Sequence, residues 1–353
     1  MRRLRTKGFI LVATLWILAA STIAMTLFAA WVSRSSERAR ELQQDTRAAV
    51  AMFSTRETLL YLIATQGMTH RGVNLSSGPA LPEDRNPFEL PTVAEHEILL
   101  DGRVYEGLQR VRFSLQDEAG LVNLNQEPTN RQVLNKLLLQ SGISDAGERR
   151  HLLSALRDYV QHGLERDFLA PSRQDYRQAE RPEPLNRPLI TSRESWRALG
   201  WEQQPALWEG SHLANLTTVL HYGGLNVNTA PQEVLQIVAQ LDERKAQEAI
   251  EARQERGFVN EMEAELRGGL PMSADPFTLA VIPSQHLRLT LWHPQAGGRG
   301  VRYYITVTPE RHGAGPWFID HIHPISGVKI ASGADPAEVK HPLFAAPDGG
   351  LSD

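Results

Sequence analysis

The chain has 353 residues, with 37 Lys and Arg against 41 Asp and Glu, and a formal net charge of −4. That balance gives no globally basic surface for nucleic acid. The absence of cysteine excludes disulfides, thiolate catalysis and thiolate metal sites, while the length is enough for a large core or two domains.

Arg2, Arg3, Arg5 and Lys7 run straight into Gly8-Phe9, and Phe9 to Val32 then carries no ionisable side chain over 24 residues. As a helix rising about 1.5 Å per residue, that stretch crosses a hydrocarbon core of about 30 Å. The basic leader predicts a cytoplasmic N-terminus and places everything after Val32 on the far side of the membrane. A secretory signal peptide also begins basic, but its apolar region is about 7–15 residues long and ends in a small-residue site. Phe28-Ala29-Ala30-Trp31 mimics such a site only after a run that is already too long. A plain signal-anchor fits the length. So does a leader cut between Gly8 and Phe9 with the apolar helix retained, a pattern that resembles type IV pilins and their relatives and ranks ahead of the plain anchor.

The helix does not end at the bilayer. Ser33 to Gln66 contains no Gly or Pro. Ala48, Ala49, Met52, Phe53, Leu59, Leu60, Leu62 and Ile63 recur near helical spacing, with Arg34, Glu37, Arg38, Arg40, Glu41, Asp45, Arg47 and Arg56 between them. Gly67 supplies a stop. The prediction is one helix from Phe9 to Gln66, about 85 Å long at the standard rise.

Gly67 to about Glu95 is rich in Gly, Pro, Ser and Asn and reads as a loop. Ile98, Leu100, Val104, Leu108, Val111, Phe113 and Leu115 alternate as in strands, with Asp101-Gly102 as a turn. From Asp117 to about Pro276 the pattern is helical. Strand patterns return at Arg288–Leu291, Arg302–Thr308 and Trp317–His323, and a Pro- and Gly-rich stretch from Pro324 reads as a flexible tail. Helices between strands predict an insertion into an α+β sheet domain.

The helical block echoes itself. Leu121-Val122-Asn123-Leu124-Asn125-Gln126-Glu127-Pro128 resembles Gly224-Leu225-Asn226-Val227-Asn228-Thr229-Ala230-Pro231, and each copy precedes an apolar helix. Asn side chains close turns on nearby backbone, and Pro suits a first helical turn. Each copy therefore predicts a tight turn that launches a helix. The second helix of the later copy stops at Gly257-Phe258.

Asn226-Val227-Asn228-Thr229-Ala230-Pro231 with Val234-Leu235, Arg253 and Phe258 is similar to the paired helical modules of the type II secretion minor pseudopilin K family. Asp117-Glu118-Ala119-Gly120 ahead of Asn123-Leu124-Asn125 fits the same family, as does Leu185-Asn186-Arg187-Pro188-Leu189 before Glu194. With the N-terminus, the resemblance covers most of Gly8 to about Val307. Ordinary pilins and pseudopilins carry Glu at the fifth mature position. Ala13 stands there in this chain, and that absence is typical of subunit K; a carboxylate in a bilayer is costly without a partner.

The resemblance implies an α+β pseudopilin fold, a long N-terminal helix packed on a small antiparallel sheet, with a large all-α insertion of two helical modules. Its divisions are a class III leader (1–8), membrane (9–32) and periplasmic (33–66) parts of the helix, loop and first strands (67–116), the insertion (117–276, modules about 117–200 and 201–276), C-terminal strands (277–323) and the tail (324–353). It implies cleavage by prepilin peptidase between Gly8 and Phe9, N-methylation of Phe9, and a single-pass protein of the bacterial inner membrane with its bulk in the periplasm. The implied partners are minor pseudopilins of types I and J at the pseudopilus tip, other pseudopilins, prepilin peptidase and the inner-membrane assembly platform. The implied role is assembly in the export of folded proteins, without chemistry of its own.

The K family is associated with calcium in the loop between its modules, where oxygen ligands on a flexible loop suit that ion. The candidates in this chain are Asp158, Glu165, Asp167 and Asp175. Gln161-His162-Gly163 stands where the family often has further acids. Arg166, Arg173, Arg177 and Arg181 are interspersed and can neutralise the same carboxylates, so salt bridges rank ahead of calcium.

The rival class is a membrane-anchored helix-hairpin-helix DNA-binding or DNA-uptake protein, which shares the Asn-x-Asn-Thr-Ala-Pro pattern. Such modules grip phosphate through a Gly-x-Gly turn. The turn in this chain is Gln240-Leu241-Asp242-Glu243, and Leu225 to Gly268 carries five Lys and Arg against nine Asp and Glu, the wrong sign for phosphate. No Gly-x-Ser-x-Gly elbow, phosphate loop or His-Glu-x-x-His helix marks an enzyme. His321-x-His323 can set two imidazoles on one strand face, with polar edge-strand residues as the plainer reading.

Overall fold

The structure, a computed structural model, describes residues 9–76, 90–126, 131–161, 170–209, 212–220, 223–271, 279–295, 299–308, 315–325 and 336–344, without the side chains of residues 9 and 10. Two compact units divide it, residues 1–51 and 52–353. Gly8 lies outside the described residues, as do Glu165 and Asp167.

A single helix, α1 (Phe9–Thr65), runs for 57 residues, one residue short of the expected end. It is long and apolar enough to cross a membrane, and its most apolar window has a mean hydropathy of 2.0 with nothing buried. The Thr14, Thr22 and Thr26 hydroxyls donate back to the carbonyls of Leu11, Leu18 and Ile23. The hydroxyls therefore bring no unsatisfied donor into an apolar surrounding.

In the second unit the strands are β1 (Gly72–Asn74), β2 (Glu97–Leu99), β3 (Asp101–Glu106), β4 (Arg112–Asp117), β5 (Val122–Asn123), β6 (Thr217–Thr218), β7 (Leu225–Asn226), β8 (Leu279–Ala280), β9 (His286–Trp292), β10 (Gly300–Val307), β11 (Trp317–Ile325) and β12 (Ala337–Glu338). The helices are α2 (Arg131–Gln140), α3 (Ala146–Val160), α4 (Arg173–Gln178), α5 (Pro205–Trp208), α6 (His212–Leu216), α7 (Gln232–Val238), α8 (Glu243–Glu255) and α9 (Glu261–Gly268). Six strands form the main sheet in the order β11-β10-β9-β4-β3-β12. All neighbours are antiparallel except β12 on β3.

Two local expectations change. Asp101-Gly102 is not a turn but the start of β3, where the register to β4 shifts and Gly102 takes φ +79°. The reversal comes later, at Gly107–Arg110, where Gln109 and Arg110 carry the positive φ values. The stretch expected as a flexible tail contributes β12 to the β3 edge, and Phe344 stacks on Phe113 with ring centroids 6.1 Å apart. Apolar residues in that stretch thus have a surface to cover.

Period-two alternation gives the sheet two unlike faces. Cross-strand partners place Tyr105, Phe113, Leu115, Leu289, Leu291, Tyr303 and Ile305 on one face. Over it lie the last turns of α1, with Leu59, Leu60, Leu62 and Ile63 buried. Arg56 donates to the Tyr303 hydroxyl at 3.3 Å and sits over the Phe53 and Tyr303 rings. The opposite face is polar: Ser114, Thr290, Arg302 and His323 form one row, and Gln116, Arg288, Tyr304 and His321 the next. The helical insertion covers that face, held by bonds from Arg288 to the Ala214 and Thr217 carbonyls and from Arg302 to Asn215 Oδ1.

The insertion shares one core, from Leu121 to Leu279, across both modules. A pair of two-residue parallel strands closes each module, β5 with β6 and β7 with β8. The first module therefore ends at Thr217–Thr218 and the second opens at Leu225. The boundary expected near residue 200 falls inside the first module, because the closing strand follows α6.

Candidate functional site

The two helical modules and their joint to the sheet form the most organised polar constellation among the described residues. Each Asn-x-Asn copy builds the same clasp. In the first, the Asn125 N–H donates to Asn123 Oδ1 at 2.7 Å. Asn125 Nδ2 then donates to the Leu189 and Val219 carbonyls, and its Oδ1 accepts the Leu189 N–H at 2.7 Å. In the second, the Asn228 N–H donates to Asn226 Oδ1 at 3.0 Å. Asn228 Nδ2 donates to the Phe258 and Val281 carbonyls, and its Oδ1 accepts the Phe258 N–H at 2.9 Å. A carboxamide carries an acceptor oxygen and an NH₂ with two donors, so one side chain can pair with a backbone in both directions at once and still donate to a second carbonyl. Val219 and Val281 directly follow the closing strands β6 and β8.

The echo extends beyond what the sequence reading caught. Asp145 caps α3 by accepting the Glu148 N–H at 2.6 Å, and Asp242 caps α8 by accepting the Lys245 N–H at 2.8 Å. Both second helices thus start on an aspartate. The Asp242 cap also bears on nucleic acid: the hairpin offers its N–H to its own carboxylate, with Glu243 next to it, where a phosphate would need open donors.

Two consecutive acids at the end of β4 attach the modules to the sheet. Asp117, fully buried, serves the second module. Its Oδ2 accepts from Asn226 Nδ2 at 2.8 Å and Thr229 Oγ1 at 3.0 Å, and its Oδ1 accepts from Ser284 Oγ at 2.6 Å and the Ala119 N–H. Glu118, also fully buried, serves the first module through Arg288. The pair closes at 2.6 Å, and the remaining Arg288 donors reach the Ala214 and Thr217 carbonyls. Burial lowers the Arg288 pKa, but the facing Glu118 outweighs it and the net direction is upward. Gly120 permits the close approach: a Cβ there would lie 2.8 Å from Thr229 Oγ1 and 2.9 Å from the Thr229 carbonyl carbon.

Arg253 is buried and donates to the Val227 carbonyl at 2.6 Å; desolvation pulls its pKa down to about 10, against the pull of Asp101. Phe258 is fully buried under Arg267, whose guanidinium lies 5.4 Å from the ring centroid.

The structure describes two of the four candidate calcium ligands. Asp175 completes a capping box at the start of α4, its Oδ2 accepting the Ser172 N–H at 2.6 Å. Asp158 lies near the end of α3, where its carbonyl accepts from Asn186 Nδ2. Among the described residues no three His, Asp or Glu side chains are grouped to hold a metal ion. Asp158 and Asp175 alone do not make the oxygen cage that calcium takes. Of the interspersed arginines, Arg177 pairs with Glu183 at 2.7 Å and Arg181 with Glu202 at 3.4 Å. His321 and His323 do share a face, with ring centroids 5.1 Å apart, and His321 stacks on Tyr304.

Arg288, Ser284 and the Glu118–Arg288 pair were not singled out from sequence. The available signal was Arg288 itself, a charge in the otherwise alternating apolar run His286-Leu287-Arg288-Leu289-Thr290-Leu291.

Residues 225–277 match the family model described as type II secretion system (T2SS), protein K. The matched stretch holds the Asn226-x-Asn228 clasp, Arg253 and Phe258. Among solved structures, the fold is similar to a chain of the GspK-GspI-GspJ complex from the type 2 secretion system of enterotoxigenic Escherichia coli. That match has a TM-score of 0.52 at 16% identity and covers 82% of this chain and 100% of the other. No curated protein matches the sequence.

Proposed function

We propose a division of labour for this chain, which is a type II secretion minor pseudopilin of the K family: the stem anchors and assembles, and the two-module head works at the pseudopilus tip. The observation that carries this reading is the K-family stretch 225–277 set in a pseudopilin fold whose α1 continues from an apolar segment into the sheet domain. Prepilin peptidase cuts after Gly8, and Phe9 becomes the N-methylated first residue. The chain then crosses the inner membrane once, with the leader side cytoplasmic and the head periplasmic. Minor pseudopilins of types I and J are its neighbours at the tip. Ala13 brings no carboxylate into the bilayer, so this subunit needs no neighbour to neutralise one. A bulky insertion suits a terminal position, because nothing must repeat above it.

The head works by holding and positioning, without a reaction of its own. The DNA-binding reading has no observation in its favour. Calcium stays a matter for direct metal analysis of the purified chain, with Asp175→Ala as the control. The assembly reading is tested by co-purification with candidate I- and J-type pseudopilins from cells carrying prepilin peptidase, and by mass spectrometry of the mature N-terminus. The expected result is a ternary complex and a methylated chain beginning at Phe9. A chain beginning at Met1 or Trp31, or a head that leaves both partners behind, overturns it.

A further inference from the structure

The outer face of α9 carries apolar side chains that no packing among the described residues covers. Its inner face is set by Ala264 and Gly268, both buried against the module core. Met262 and Leu266, one turn apart, are 64% and 78% exposed, and Val259 just before the helix is 40% exposed. Scattered single apolar residues are ordinary on a surface. Three along one short ridge, pointing away from the core, are not explained by packing among the described residues.

The charges beside that ridge are one-signed. Arg256 and Arg267 are both spent on Glu263, and Arg267 also donates to the Arg256 and Ala252 carbonyls. Glu255, Glu261 and Glu265 have no cation partner among the described residues. On the helical wheel Glu261 and Glu265 form the stripe next to Met262 and Leu266. The surface is therefore an apolar ridge with an acidic flank, its own cations folded inward.

We infer that α9 is a docking ridge for a basic amphipathic segment of another protein, one whose apolar side chains cover Val259, Met262 and Leu266 while its Lys or Arg meet Glu255, Glu261 and Glu265. An apolar anchor ringed by complementary charge is how a short segment gains both affinity and orientation. A second copy of this chain presents the same acidic flank and is repelled by it. The inference goes beyond the assembly role and holds whichever subunits pack on the stem.

The test uses the full chain in nanodiscs of zwitterionic lipid, with empty nanodiscs as the blank. The probe is a fluorescein-labelled amphipathic helical peptide of Leu and Lys, beside a matched peptide of Leu and Glu. Fluorescence anisotropy is expected to show binding of the Leu/Lys peptide above the blank. Joint Met262→Ser and Leu266→Ser weakens it about tenfold or more, as loss of a central anchor does. Joint Glu255→Gln, Glu261→Gln and Glu265→Gln weakens it and removes its salt dependence. All substituted positions are exposed or rim positions, and unchanged thermal unfolding checks that the fold is kept. Equal binding by the variants, equal binding of the Leu/Glu peptide, or dimers in sedimentation that Leu266→Ser dissociates would each overturn the inference.

Discussion

The two helical modules share a frame and differ in what hangs on it. Both open on an Asn-x-Asn strand, cap the second helix with Asp, close on a parallel two-residue strand, and use the second Asn to hold a later backbone in both directions. Module two then runs directly from α8 to Phe258, α9 and β8. Module one places residues 161–188 between α3 and the clasped Leu189, and more chain before β6. That extra chain brings its own aromatic core: Trp201 Nε1 donates to the Leu152 carbonyl at 2.8 Å, and the Tyr176 hydroxyl accepts the Leu199 N–H at 3.1 Å. The lesson is that the hydrogen-bond frame defines the module. Length is free to grow wherever the frame makes no demand, provided the addition buries enough apolar surface to hold itself.

The attachment to the sheet differs too, and this gives the sharpest way to break the comparison. Asp117 holds module two through uncharged donors, Asn226 and Thr229, whereas module one hangs on Arg288, whose charge is matched among the described residues by Glu118. Arg288→Met leaves Glu118 buried without its cation, and loss of one partner of a buried pair costs about 3–5 kcal/mol. The expected outcome in the full chain is a lower denaturation midpoint, with hydrogen exchange rising first around residues 212–218 while β7 and α7 keep their protection. Exchange that rises equally in both modules breaks the idea of separate attachments. Replacing both partners, Glu118→Gln with Arg288→Met, recovers part of the loss, because no charge is then stranded.

The next comparison sets the clasps against each other. Asn228 is 2% exposed, and Asn228→Ala strands the Phe258 N–H and C=O inside the protein, a cost of about 2–4 kcal/mol, while the Val281 C=O keeps His70 Nδ1 at 3.0 Å. Asn125 makes the same bonds closer to solvent, so water replaces part of what Asn125→Ala removes and the cost is about 1–2 kcal/mol. Denaturant midpoints of the two variants, at unchanged slope, measure the difference. Equal losses would mean that burial does not distinguish the two clasps.

Legibility followed the range of each signal. The long helix was readable to within a residue, since hydropathy, charge and the Gly67 stop all act locally. The Asn-x-Asn copies were readable as turns because Asn123 and Asn226 act on the backbone two residues on. Their second function was not: Asn125 reaches Leu189 across 64 positions and Asn228 reaches Phe258 across 30. The same distance hid Glu118 from Arg288, 170 positions apart, although the acid stood in a segment already singled out by family likeness. The tail misled for the opposite reason. Its Pro and Gly content says nothing of Ala337–Glu338 finding the β3 edge.

The smallest expected effect concerns the two rows of the sheet's polar face. His321 lies stacked on Tyr304, with Arg288 behind the same ring at 5.0 Å and His323 beside it. Desolvation and then the neighbouring His323 lower its pKa to about 4 against the opposing pull of Asp320 and Glu118, with Arg288 adding a smaller downward effect. A proton is therefore taken up more readily by the unfolded chain, whose imidazole titrates near 6.5. Stability from this group is complete above that value and falls as the pH drops from about 6.5 toward 4. The ring is partly exposed, so solvent screens part of the effect. Thermal unfolding between pH 7 and 5 is expected to shift downward, and less so in His321→Phe, which keeps the stack on Tyr304 and has nothing to protonate. A slope unchanged by that substitution would assign the acid sensitivity to the carboxylates instead, chiefly to pairs such as Glu194 with Arg187, whose carboxyl is held below its usual range by the Ile190 N–H and that arginine despite the opposing effect of burial.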